Sequence, residues 1–143
     1  MNHMDFINNF QIKNNQLIGV MAIPNLYDSV EFSFNIEKKA ADISDFKELI
    51  NKSKDFIIQL DKNKISKITT FVSEEITDAA YEGIDYEYSK QDIYKLKNDL
   101  KIKRINFYNE DMIIFFESNK IFTEMKISCQ MDYEFNIEDI TVA

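Results

Sequence analysis

Few residues in this chain could do chemistry, and their spacing excludes most reactions. His3 is the sole histidine and stands at the start, so an HExxH zinc site, a histidine-rich metal cage or a Ser/His/Asp triad cannot be assembled within one chain. Cys129, the only cysteine, falls on the inward parity of a strand pattern and reads as a buried structural thiol, with no further histidine to activate it. Gly19 and Gly83 are the only glycines and lie far apart, which rules out a glycine-rich phosphate loop. Carboxylates remain. Glu110 and Asp111, or Asp132, Glu134, Glu138 and Asp139, could pair for acid–base work or hold Mg²⁺. Acids in turns and on strand exteriors are ordinarily just solvated, and no spacing matches an EF-hand loop. The expectation is a non-enzyme with no cofactor and no metal.

The least ordinary stretch is "EEITDAAYEGIDYEY", residues 74–88, with six acids, three tyrosines and no basic residue. Glu74, Asp78 and Glu82 are spaced four apart, so on a helix they form one ridge of like charge, at a cost of about 0.2–0.5 kcal/mol per adjacent pair. Selection for helix stability alone would tend to insert lysine there. Carboxylates that steer and pair with Lys or Arg, beside tyrosine rings that bury area at low entropy cost, suit a partner-binding surface. The candidate set is Glu74, Glu75, Asp78, Tyr81, Glu82, Asp85, Tyr86, Glu87 and Tyr88. The plainer alternative is a solvated acidic face with the tyrosines packed on the core.

The charge map points the same way. The net charge of −8 argues against direct phosphate-backbone binding, which needs an excess of Lys and Arg, and suits a basic protein partner. The charge is patchy: residues 38–67 hold eight lysines against five acids, residues 90–104 six basic residues against two acids, and residues 105–143 eight acids against two lysines. The start lacks the basic and apolar regions of a signal peptide, and no window approaches the ~18 apolar residues of a membrane span. With a single cysteine, these features predict a cytoplasmic protein without membrane contact. The 143 residues, 45% hydrophobic and rich in Phe and Tyr, fit one domain over residues 1–143.

Periodicity supplies the elements that must position these side chains. Strands are predicted over residues 6–12, 17–23 and 30–36; in the last, Val30, Phe32, Phe34 and Ile36 alternate with polar residues. Ile43, Phe46, Leu49, Ile50, Phe56, Ile57 and Leu60 then fall on one helical face, with Asp42 or Ser44 as N-cap. After a polar interruption at 61–64, Ile65, Ile68, Phe71, Val72, Ile76 and Ala79 continue a stripe towards Gly83 as C-terminal cap, as two helices or one bent helix. Ser89 and Asp92 resemble a capping box opening a short third helix with Ile93, Leu96 and Leu100. The sheet period returns with Ile105 and Phe107, a turn at 109–111, and a run at 112–116 that is apolar at both parities. That run predicts a central strand covered on both faces, by a helix on one side and a second apolar layer or a partner on the other. Alternation from Ile121 to Met131 predicts one long strand, with Phe122 on its other face packing beneath a helix or against a partner. A parity change before Ile140 and Val142 predicts a bulge or turn at Glu138 and Asp139. The predicted class is α+β: a largely antiparallel sheet of N-terminal strands plus a C-terminal meander, packed with two or three helices from the middle of the chain.

The order of "LIGVMAIPNLYDSVEFSFNIE" (17–37), a Lys- and Asp-rich helical middle, "YSKQDIYKLKNDLKIKRINFY" (88–108) and "FNIEDITVA" (135–143) resembles an uncharacterised bacterial domain family. Small, acidic, variable domains of this kind are similar to immunity proteins of polymorphic toxin systems. The resemblance implies a protein that binds and neutralises a cognate toxin. Members carry an aromatic, Gly and His after the acidic turn; Ile121-Phe122-Thr123-Glu124 lacks the Gly and the His, so no role of that histidine carries over. An acidic inhibitor would compete with the polyanionic substrate of a basic nuclease toxin. The alternative is a phage-type acidic inhibitor of a nucleic-acid-guided defence enzyme, with carboxylates spaced along an extended edge.

Overall fold

Alternating apolar residues become seven strands of one sheet in the computed structural model, which describes residues 7–23, 26–39, 42–80 and 90–143. The strands are β1 (Ile7–Lys13), β2 (Gln16–Ile23), β3 (Tyr27–Asn35), β4 (Leu100–Phe107), β5 (Asp111–Ser118), β6 (Ile127–Asp132) and β7 (Ile137–Val142). They lie side by side in chain order. Every neighbouring pair is antiparallel except β3 and β4, which run parallel. A parallel pair needs a long crossover. This one holds a 3₁₀ turn (Ile43–Phe46) and the helices α1 (Lys47–Gln59), α2 (Lys62–Ala80) and α3 (Lys90–Asp99). The chain is an α+β protein with a largely antiparallel sheet, and β1 and β7 are the sheet's edges.

Register explains which face is covered. Leu17, Phe34, Phe107, Met112 and Met131 form one cross-strand row, and Gly19, Phe32, Ile105, Ile114, Cys129 and Ile140 the next. These rows share a single buried core with Leu49, Ile50, Phe56 and Ile57 of α1, Ile68, Val72 and Ile76 of α2, and Leu96 of α3. Rings join the layers: Phe56 meets Phe107 at 6.5 Å, Tyr133 at 6.3 Å and Phe135 at 4.6 Å between centroids. The other face, with Ile18, Val20, Ser33, Asn106, Ile113 and Phe115, has none of the three helices over it.

Local chemistry sets the boundaries. Asp42 caps the 3₁₀ turn, accepting from the Ser44 N–H, while Asp45 accepts from the Asp42 N–H in return. The two middle helices are separate, broken at Leu60. Asp61 restarts the chain by accepting from the Lys64 N–H at 2.8 Å. Gly19 lies opposite an irregularity in β1, where Asn9 adopts φ 50°. A Cβ on Gly19 would stand 3.0 Å from the Asn9 carbonyl oxygen and 3.0 Å from the Phe10 Cα, so the bulged backbone can approach only a glycine. The pairing of β6 and β7 skips Glu138, as the parity change there predicts.

Four expectations are corrected. Ile121 does not begin a strand: β6 starts at Ile127. The segment before it is held in turns by Asp99, which accepts from the Ser118 hydroxyl at 2.6 Å and from the N–H groups of Lys120 and Ile121 at 2.9 and 3.1 Å. The third helix ends at Asp99, within the expected 98–101, but Leu100, read as part of its apolar face, already opens β4. Phe71, read as core, is 46% exposed, because the inward side of α2 is completed instead by Thr69, Ser73 and Thr77. The run at 112–116 has no second apolar layer among the described residues: Ile113 and Phe115 are half-buried on the face opposite the helices. Phe122 is half-buried against the core, with its N–H on the Ser118 hydroxyl at 2.9 Å.

Candidate functional site

Helix α2 places the acidic residues by separating two faces of its surface. Its inward side carries Ile68, Thr69, Val72, Ser73, Ile76 and Thr77, all buried. The threonine hydroxyls satisfy themselves within the helix: Thr69 donates to the Ile65 carbonyl at 2.9 Å and Thr77 to the Ser73 carbonyl at 2.7 Å. The outward side carries Lys67, Phe71, Glu74, Glu75 and Asp78, all exposed, at the three- and four-residue spacings that make neighbours on a helix. Three of the nine candidate residues, Glu74, Glu75 and Asp78, therefore share one solvent face with an exposed aromatic ring. Tyr81, Glu82, Asp85, Tyr86, Glu87 and Tyr88 lie outside the described residues, as do Gly83 and Ser89.

The charge order along α2 runs against its own dipole. Lys62, Lys64 and Lys67 stand at the N-terminal end and Glu74, Glu75 and Asp78 towards the C-terminal end, with no acid in the first turn and no base in the last. Helices gain roughly 0.3–1 kcal/mol per charge from the reverse order. The only ion pair among the described residues joins Lys38 to Asp45 at 2.9 Å, so no described base is paired with Glu74 or Glu75. Sequence reasoning found these acids but missed Phe71 beside them. The signal was present in the sequence, since residues 67, 71, 74, 75 and 78 are one helical face.

Of the other candidates for chemistry, Cys129, Asp132 and Asp111 have structural work, Glu110, Glu134, Glu138 and Asp139 are exposed, and His3 lies outside the described residues. Cys129 is fully buried in the central row, and burial, with Asp139 adding to it, pushes its thiol up to about 12, far from a nucleophile at neutral pH. Asp132 accepts from the Glu134 and Asn136 N–H groups and from the Asn136 amide, tying the turn between β6 and β7; the Asn136 backbone bond leads in holding its carboxyl below the usual range. That turn puts Phe135 at φ 68°, a conformation costly for a bulky residue, where its ring stacks on Phe56 and lies 4.1 Å from the Lys64 ammonium. Asp111 stands opposite Asp132 and accepts from the Gln130 amide at 2.7 Å. Among the described residues no three His, Cys, Asp or Glu side chains gather in a way that could hold a metal ion. No described helix is long and apolar enough to cross a membrane.

The open sheet face carries a polar chain that the sequence did not reveal. Gln16 donates to the Asn35 side-chain oxygen at 2.9 Å, Asn35 to the Ser33 hydroxyl at 2.8 Å, and Ser33 to the Asn106 side-chain oxygen at 2.8 Å. Arg104 Nε donates to that same oxygen at 2.8 Å. The network crosses β2, β3 and β4, and its middle member, Ser33, is fully buried.

Searches against protein-family models, curated proteins and solved structures find no match to this chain.

Proposed function

We propose that this chain is a non-enzymatic, immunity-type protein that binds and neutralises a basic toxin domain of bacterial origin through the outward face of α2. One observation carries the reading: Glu74, Glu75 and Asp78 stand beside the exposed ring of Phe71 on a single helical face. Carboxylates supply long-range steering towards a basic partner, and a ring among them supplies apolar area to bury on contact. The charge order of α2, unfavourable to the helix itself, supports selection for something other than stability. Tyr81, Glu82, Asp85, Tyr86, Glu87 and Tyr88 extend the surface in sequence.

The test is co-expression with the products of the adjacent genes, followed by titration of any complex. A basic neighbour whose toxicity this chain suppresses, bound in a stoichiometric complex that weakens with salt, is the expected result. Changing Glu74, Glu75 and Asp78 together to Lys weakens that complex roughly a hundredfold. A complex indifferent to the three changes moves the site elsewhere. Failure to bind any neighbouring product, with loss of guide or target binding by a defence enzyme instead, replaces the reading with the phage-type inhibitor.

A further inference from the structure

Arg104 is the chain's single arginine, where every other basic position except His3 is lysine. It stands in the middle of the open sheet face, directly after an irregularity in β4. The pairing with β5 passes from Ile102–Phe116 to Arg104–Phe115, skipping Lys103, so Ile102 and Ile105 both remain buried, while Arg104 shares a face with Asn106 two residues on. Bulges of this kind re-aim a side chain and are enriched beside functional sites. Once aimed, the guanidinium is oriented: its Nε is committed to Asn106, whose oxygen is in turn fixed by the Ser33–Asn35–Gln16 chain. Its terminal nitrogens form no ion pair among the described residues, although Glu31 is its cross-strand neighbour.

Two depressions of the surface meet at Glu31 and Arg104. One, of about 600 Å³, runs over β4–β6 and is ringed by further charges, Lys103, Glu117, Glu124 and Lys126. The other, of about 590 Å³, runs over β1–β3; apart from Glu31 and Arg104 its lining is uncharged, with Phe10, Ile18, Val20 and Phe32 as its apolar side chains. Both are shallow and open to solvent, with room for a small molecule lying on the sheet. A guanidinium fork pre-set by a hydrogen-bond network matches a planar carboxylate with two parallel N–H···O bonds, a match an ammonium cannot reproduce. The adjacent Glu31 opposes a doubly charged phosphate, leaving a singly charged carboxylate as the better fit.

We infer that Arg104 anchors a site for a small organic carboxylate whose apolar body lies over Ile18 and Val20. This site is independent of the α2 surface. A single arginine means a single Nε–H resonance, which makes the test direct: ¹⁵N-labelled full-length chain is titrated with hexanoate, phenylacetate, inorganic phosphate and chloride. The expected result is a saturable shift of the Arg104 Nε–H signal together with the Ile18 and Val20 amides, for the two carboxylates only. Arg104→Lys weakens hexanoate binding about tenfold or more, because a point charge replaces the fork, whereas Glu31→Gln strengthens it by removing a like charge. If Arg104→Lys does not fold, the Glu31→Gln comparison stands alone. No saturable shift by millimolar hexanoate, equal shifts from phosphate or chloride, or a Glu31→Gln chain that binds more weakly would each overturn the proposal.

Discussion

Ser73 is fully buried on α2, and its hydroxyl finds no hydrogen-bond partner among the described residues. A buried, unpaired hydroxyl carries its desolvation penalty uncompensated. Ser73→Ala is therefore expected to leave stability unchanged or raise it by up to about 1 kcal/mol in urea denaturation. Gly19 behaves in the opposite sense. A methyl group there would meet backbone atoms at 3.0 Å and Phe32 Cε1 at 3.1 Å, so Gly19→Ala should cost about 1–3 kcal/mol. Asp99 ties three groups of the turn before β6. Burial raises its carboxyl, but the bonds from Ser118, Lys120 and Ile121 outweigh it and hold the group below its ordinary value. A carboxyl depressed in the folded state contributes stability above its unfolded value and loses it as pH falls through the folded one. Asp99→Ala should cost about 1.5–3 kcal/mol at neutral pH. In denaturation curves, the gap to wild type should narrow once pH drops below about 4.

Among the elements, those with clean periodicity were legible and those shaped by side-chain hydrogen bonds were not. The alternation of Val30, Phe32 and Phe34 and the stripe of Leu49, Ile50, Phe56 and Ile57 read directly, because burial on one face leaves a period in the sequence. The turns before β6 hid behind a false alternation, since the group that bends them, Asp99, lies far upstream, at the end of α3. The inward side of α2 hid because Thr69, Ser73 and Thr77 pack as small polar groups, whereas a count of apolar residues selects Phe71. The orientation of α2 makes a pairwise prediction. Ile76→Ala should cost about 2–5 kcal/mol, while Phe71→Ala should change stability by less than about 0.5 kcal/mol, measured side by side by chemical denaturation. For the candidate surface, the acidic composition was legible. Its aromatic neighbour Phe71 was legible only through the three- and four-residue spacing it shares with the acids, and the network around Arg104 was not, because it depends on which strands become neighbours across the crossover.

At the scale of the molecule, the sheet divides two surfaces of different character. The helical layer turns the acidic face of α2 and its exposed Phe71 outwards, while the uncovered side of the sheet holds Arg104 in a hydrogen-bonded frame. Part of the net charge of −8 thus sits where a basic partner would be steered, and the two surfaces should respond independently to mutation. Whether the α2 face binds a basic partner is decided by calorimetric titration of a basic neighbouring gene product with the wild-type chain and with the Glu74→Lys, Glu75→Lys, Asp78→Lys variant, each at low and high salt. Wild-type binding should weaken as salt rises, and the variant's affinity should fall roughly a hundredfold with little salt dependence left. Equal affinity and equal salt dependence of the two proteins would contradict it.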